Sequence, residues 1–306
     1  MAIAQALGEA ERPTGHRGDR GQGGRRKRSL PYLLLLPGLL WLLLFFAAPL
    51  VTLASQSLQT RVPGAEIGVY TQTFRFANYP EALQEYATQF TRSFGYAFLA
   101  TALALLIGYP LAYAIAFKAG RWKNLLLVLV IAPFFTSFIL RTVAWRQILA
   151  DESFVVRTLK TLHVLDPHHS LTATSVSVIA GITYNFLPFM TLPLYASLER
   201  IDPRLIEAAG DLYANGLTAF RKVTFPLSMP GVVAGTLLTF IPAAGDYVNA
   251  ALLGNNRSQM IGNVIDSRFF RVVDYPTAAA LSFMLMTAIL ILVAAYIRRS
   301  GTEDLV

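Results

Sequence analysis

Six long apolar stretches, at roughly 31–54, 94–117, 124–145, 172–198, 228–250 and 276–297, alternate with polar segments along the chain. Each approaches or exceeds the ~20 residues needed to cross ~30 Å of hydrocarbon at about 1.5 Å per residue. Backbone groups inside a bilayer have no water to bond, so every stretch predicts a helix. The pattern therefore predicts an all-α integral membrane protein of six transmembrane helices. Pro37, Pro110, Pro133, Pro188, Pro193 and Pro242 predict kinks where neighbouring helices take up the freed carbonyls. Residues 1–29 are rich in Gly and Arg without apolar periodicity, which predicts a disordered basic tail. The membrane domain is then 30–298, and 299–306 form a short second tail.

Composition agrees with this pattern. Of 306 residues 54% are apolar and 14% charged, against about 25% charged in a soluble globular chain. An ordinary soluble enzyme and a disordered protein are both excluded. The absence of cysteine excludes a disulfide scaffold, Cys-ligated zinc or iron–sulfur, and a thiol nucleophile. The net charge of +8 does not point to nucleic acid. Arg25-Arg26-Lys27-Arg28 stands directly before an apolar run, where a positive-inside anchor belongs. With the first residues in the cytosol, the inside segments are 1–30, 117–123, 199–228 and 298–306. They hold sixteen of the 26 Lys and Arg and half of the 18 acids, which places both termini in the cytosol. The first apolar stretch exceeds 20 residues, too long for the 7–15-residue core of a secretory leader. A retained helix is expected.

The outside segment 55–93 is long, and Phe74, Phe76, Tyr79, Leu83, Tyr86 and Phe90 are spaced for an interfacial or packed helix around Glu81–Phe90. A loop capping the bundle is the expectation; 149–171 and 251–275 form two further outside loops. Ionisable residues are nearly absent between the membrane boundaries. Arg141 and Arg146 are expected to snorkel at the outer end of the third helix. Ion- and proton-coupled transporters rely on intramembrane carboxylates, His or Lys, so any transport here draws its energy from elsewhere. No voltage-sensor ladder or selectivity filter is present. Neither is a phosphate-binding loop: the Gly18–Gly24 stretch runs into Arg25, without the Lys and Ser/Thr that hold phosphate and magnesium. The chain is not expected to hydrolyse ATP or to act as an enzyme alone. His163, His168 and His169 lack acidic partners at ligand spacing and predict a solvated loop rather than a metal site.

The segment 199–231, ERIDPRLIEAAGDLYANGLTAFRKVTFPLSMPG, carries the most information. Asp202 is a helix N-cap with Pro203 at the first position. Leu205, Ala208, Ala209 and Leu212 recur at helical spacing, with Glu207 and Asp211 four apart on another face. Asn215-Gly216 reads as a stop and turn, followed by a second short helix over Leu217–Val223. The result is two short helices across the inner surface. By themselves they fit a surface that another protein approaches closely at Ala208, Ala209 and Gly210, or a helix that merely lies on the membrane.

Glu207-Ala208-Ala209 followed by Phe225-Pro226 resembles the EAA loop of permease subunits in bacterial ABC importers, whose pattern is E-A-A-x3-G-x9-I-x-L-P. Val223, Phe225 and Pro226 stand at the Ile, Leu and Pro positions. Tyr213 stands where the pattern has glycine, and Gly216 comes three residues later. The resemblance covers about 31–297 and implies the six-helix type I importer fold. Glu207, Ala208, Ala209, Gly210, Asp211, Gly216 and Pro226 then belong to a loop between helices four and five that couples to a separate ATPase subunit. It also implies ATP and magnesium on a dimer of that ATPase, a second permease subunit, an extracytoplasmic solute-binding protein, and the bacterial inner membrane.

Two further stretches are similar to permeases of the spermidine/putrescine group. They are Gly108-Tyr109-Pro110-Leu111-Ala112-Tyr113, and Gly245-Asp246-Tyr247-Val248 with Leu252-Leu253-Gly254 and Met260-Ile261-Gly262-Asn263. Asp246, Tyr247 and Tyr184 are the candidate path residues, since a polyamine would meet a carboxylate and cation–π faces. Asp246 capping or packing at a helix end is the equal alternative. Other solutes of the same importer class, thiamine, ferric iron or another organic cation, stay open. Sulfate and molybdate fit less well, because these helices hold few basic groups. A non-transporting scaffold or sensor lacks any output domain here.

Overall fold

The computed structural model describes residues 29–166 and 170–300. The predicted tail 1–29 lies outside them except for Ser29, as do most of 299–306 and the His168-His169 pair. The remaining His163 lies just after a short helix over Phe154–Thr161, with φ 55°.

The chain divides into two units, through Val51 and from Thr52 onward. The first holds α1 (Ser29–Leu42), a π turn (Leu43–Ala47) and the start of α2 (Ala48–Ser57). Its 35–57 stretch is long and apolar enough to span a membrane.

The second unit opens with a hairpin, β1 (Gln59–Arg61) antiparallel to β2 (Tyr70–Gln72), with Gln59 opposite Gln72. This small sheet is the one departure from the all-α expectation among the described residues. Then come α3 (Asn78–Tyr113) with a π turn to Lys118, α4 (Lys123–Ile131) with a 3-10 turn to Phe135, α5 (Phe138–Ile148) and α6 (Phe154–Thr161). Next is α7 (Ser175–Glu199), then α8 (Pro203–Asp211), α9 (Gly216–Ala219), a π turn to Thr224, α10 (Phe225–Leu227) and α11 (Met229–Ala244). The chain ends with α12 (Val248–Leu253), α13 (Ile261–Asp266), a π turn to Arg271, and α14 (Tyr275–Ser300).

Among the described residues four helices are long and apolar enough to cross a membrane singly, and two bent pairs, each taken as one span, bring the number to the six predicted. The bends correct two of the sequence boundaries. The third span, expected at 124–145, breaks at Thr136–Ser137 and turns by 99° into α5. Pro133 lies inside the preceding 3-10 turn, and Thr136 Oγ1 donates to its carbonyl at 2.8 Å. The fifth, expected at 228–250, ends as a helix at Ala244, and α12 follows as a separate short segment. At its other end α11 bends by 63° from the α9–α10 segment. The helix expected around Glu81–Phe90 exists, but as the first turns of α3, with the only non-helical angles at Tyr86 (φ −113°, ψ 17°).

The core is the packing of α3, α7 and α11 on one another. Lipid tails are as apolar as leucine, so helices here gain from close backbone approach rather than from hydrophobic exclusion. Gly231 and Gly235, one turn apart on α11, provide that approach. A Cβ on Gly231 would lie 2.5 Å from Ser197 Cβ and 2.7 Å from the Pro193 carbonyl, and one on Gly235 2.9 Å from Met190 Sδ.

At the end away from 199–228, Ala82, Tyr86 and Phe90 of α3 pack with Ile261, Val264 and Leu281. Of the aromatics predicted for this region, Phe74 and Phe76 point outward, as does Leu83. Asn78 Nδ2 donates to the Ser57 and Gln59 carbonyls, both at 2.9 Å, which holds the hairpin to α3. Arg268 bonds Glu85 at 2.8 Å and Tyr86, and tethers the 267–274 turn. The expected cap over this end is thus a hairpin, a helix start and a turn joined by side chains.

Candidate functional site

The 199–228 segment forms as two short helices, and its caps explain why. Asp202 accepts from the Arg204 backbone N–H at 3.0 Å, and Pro203 occupies the first turn of α8. Ile201, just before, is buried among Leu194, Leu198, Tyr109 and Val232, which anchors the loop to the end of α7. Not one residue of α8 is buried. Glu207, Ala208, Gly210 and Asp211 are exposed and Ala209 half-buried.

The turn out of α8 corrects the sequence reading. The Ala214 N–H bonds the Ala209 carbonyl at 3.0 Å, and the Tyr213 N–H bonds the Gly210 carbonyl at 2.9 Å. This pair of bonds is a Schellman motif, and its left-handed position is Tyr213, with φ 59°. The stop is therefore at the residue that replaces the pattern's glycine, and it has not moved to Gly216. Asn215 instead caps the next helix, accepting from the Thr218 N–H at 2.8 Å, and Gly216 is the first residue of α9. Side-chain capping favours Asn as strongly as turns do, and here the cap wins.

The second helix continues through the π turn to α10 and is clamped by aromatic rings from α3. Tyr109 meets Phe220 edge-on at 5.6 Å and Phe225 at 6.0 Å, and Tyr113 meets Phe220 at 6.2 Å. The Tyr109 hydroxyl lies 2.7 Å from Ser228 Oγ, buried. Ser228 gives its own hydrogen to the Phe225 carbonyl at 2.9 Å, so Tyr109 is the donor. Phe225, the departure from Leu, becomes part of this ring cluster; Pro226 beside it is exposed. Lys123 at the start of α4 pairs with Glu199 at the end of α7. The Gly108–Tyr113 stretch thus serves as the bracket that ties the loop to α3, a role its sequence did not reveal.

A second polar cluster lies toward the opposite end of the bundle. Asp246 is buried, with Oδ1 accepting from the Asn249 N–H at 2.8 Å and Oδ2 from Asn249 Nδ2 at 2.9 Å. Asn185 of α7 donates through Nδ2 to Asn249 Oδ1 at 3.0 Å and to Thr142 Oγ1 at 3.1 Å. This network joins the third, fourth and fifth spans, and it caps α12. Asn185 Oδ1 is buried without a partner. Among the described residues no cation bonds Asp246. Tyr247 is half-exposed, and its carbonyl accepts from Asn263 Nδ2 at 2.8 Å. The ring of Tyr184 lies against Trp145 at 5.3 Å. The three candidate path residues therefore divide between two surroundings. Thr142, Asn185 and Asn249 were not singled out in the sequence, because lone Thr and Asn in apolar helices carry no spacing signal.

Arg146 is exposed, whereas Arg141 is half-buried. Its Nε and Nη1 are shielded from solvent without a hydrogen-bond partner, and the guanidinium sits 5.7 Å from the ring centres of Phe134 and Phe138. The bend before α5 puts residue 141 beside the break instead of at a helix end.

An apolar helical bundle with a capped, largely exposed helix pair clamped to one end is the arrangement of a transport permease. Residues 108–300 match the family described as "Binding-protein-dependent transport system inner membrane component", and the chain belongs to it. It is 34% identical over 261 residues to the spermidine/putrescine transport system permease protein PotB of Escherichia coli, covering 85% of this chain and 94% of that one. To PotB of Haemophilus influenzae it is 35% identical over 259 residues, 84% and 90% of the two chains. The inner membrane ABC transporter permease protein YdcU of E. coli is 30% identical, covering 89% and 90%. Among solved structures, a bacterial alginate ABC transporter in complex with its periplasmic protein superposes with TM-score 0.68 at 20% identity, covering 91% of this chain and 96% of that one. That likeness establishes the type I importer permease fold. As a member of the family, the chain is a multi-pass membrane component that works with a binding protein and an ATPase.

Proposed function

We propose that this chain is the permease subunit of an ATP-driven polyamine importer of the bacterial inner membrane, with both termini in the cytosol. It forms half of the path together with a second permease subunit, in a heterodimer, while ATP and magnesium are held by a separate ATPase dimer. The observation that carries the coupling role is α8: nine residues, capped, none buried, yet fixed at its base through Ile201 to α7 and α3. A largely exposed helix rooted in this way transmits a push without absorbing it. Movement of the ATPase subunits against Glu207, Ala208, Ala209, Gly210 and Asp211 passes through Gly216 and Pro226 into α11 and so rocks the bundle. Identity to the PotB relatives over most of the chain supports a polyamine cargo.

The test is ATP-dependent uptake of labelled spermidine and putrescine by cells expressing the whole transporter. Glu207→Lys should abolish uptake while the protein remains inserted; unchanged uptake in that variant sinks the coupling role. Absence of polyamine uptake from a complex that still assembles leaves the importer and removes the cargo.

A further inference from the structure

Tyr213 occupies the one backbone position of α8's exit turn that favours glycine, with φ 59°. A side chain there lowers the population of the turn by about ten-fold relative to glycine. Such a cost is retained where something offsets it, yet among the described residues nothing does. The ring is 99% exposed, the following Leu217 67% and the preceding Leu212 82%. Two apolar residues and an aromatic in and just after the Schellman turn are thus exposed, with no described residue covering them.

We infer that Tyr213 is a docking residue: its ring, aimed outward by the left-handed turn and flanked by Leu212, inserts into an apolar pocket of the ATPase subunit. The membrane surface is the other possible cover, and charge argues against it. An anionic leaflet attracts Lys and Arg; the residues next to the ring, 205–219, hold Glu207 and Asp211 and no basic residue, the nearest being Arg204 before them and Arg221 and Lys222 after. A protein partner also suits the chemistry, because a rigid aromatic anchored by its backbone loses little entropy on burial and ranks among the side chains that dominate interfaces. The inference rests on the coupling reading of α8 above and adds to it the residue that fixes the partner's grip.

Tyr213→Gly separates the two roles of the position, since it keeps the turn and deletes the ring. In the full transporter, purified through a tag on this chain, the ATPase subunit should dissociate from Tyr213→Gly at least ten-fold more readily than from wild type. Tyr213→Phe should hold it within about two-fold. Equal retention by Tyr213→Gly, or loss in Tyr213→Phe as well, overturns the inference. Tyr213→Trp supplies a second readout, as a difference spectrum against wild type. Its emission should shift to the blue only when the ATPase subunit is present; a shift already seen in liposomes of the permease alone assigns the ring to lipid and overturns it too. Glu207→Lys distinguishes the levels. If it uncouples uptake while Tyr213→Gly assembles normally, the docking role fails and the coupling loop stands; if neither variant has any effect, the coupling reading falls with it.

Discussion

Removing Tyr109 should disconnect ATP hydrolysis from transport without dismantling the membrane domain. Tyr109 is 9% exposed and holds Phe220 and Phe225 of the loop against α3, and its hydroxyl donates to Ser228. Tyr109→Phe removes one buried hydrogen bond, about 1 kcal/mol, and strands no donor, because Ser228 keeps its bond to the Phe225 carbonyl. Tyr109→Ala removes the ring as well. Truncating a buried aromatic costs about 3–5 kcal/mol, and two ring–ring contacts at about 0.5–1.5 kcal/mol each form part of that loss. The cost falls on the joint between loop and bundle, so the loop should move independently of α3. In proteoliposomes holding the complete transporter, ATP hydrolysis and uptake are measured together. Tyr109→Phe should keep the ratio within about two-fold of wild type, and Tyr109→Ala should raise ATP used per solute imported at least ten-fold. A normal ratio in Tyr109→Ala would refute the bracket by which α3 holds the loop.

Two further outcomes follow from the packing and from the polar network. Gly231→Val places a branched side chain 2.5 Å from Ser197 Cβ and 2.7 Å from a backbone carbonyl, neither of which can swing away. It should cost about 1–3 kcal/mol or more, seen as a lowered thermal aggregation temperature in detergent, and an unchanged temperature would contradict the close approach of α7 and α11. Asn249→Ala deletes the side-chain donor to Asp246 and the acceptor for Asn185, and a lost hydrogen bond to a buried charged group costs about 1.5–3 kcal/mol. It should therefore destabilise more than Asp246→Asn. If Asp246→Asn leaves stability intact but raises the apparent KM for uptake, Asp246 meets the cargo as well as capping α12.

Individual residues show where the sequence spoke plainly and where it could not. Asp202-Pro203 marked the start of α8 because capping is local: the donor lies two residues from the acceptor. Asn215-Gly216 misled, since Asn serves both turns and caps, and which one forms depended on where the preceding helix ended. That end was set by Tyr213, whose positive φ opposes its own preference. Propensity therefore pointed three residues too far along. The bend at Thr136–Ser137 and the helix break at Gly245–Tyr247 were equally hidden. Hydropathy records that a stretch is apolar, and an apolar stretch reads the same whether it crosses straight or turns through 99°.

The chain's own pattern determined the six apolar spans and the loop with Glu207-Ala208-Ala209 between the fourth and fifth of them, and its Lys and Arg are the basis of the sidedness proposed above. These follow from costs each segment bears alone: unsatisfied backbone groups in lipid, charges that resist translocation, and caps built from adjacent residues. Tertiary structure decided the rest. What Asn185 adds to the Asn249–Asp246 cap and what Tyr109 holds depend on contacts between residues 64 and 119 apart, and the surroundings of Arg141 depend on a bend between helices. Such contacts form only when α3, α7 and α11 approach closely, and that approach rests on glycines whose meaning lies in the helix they face.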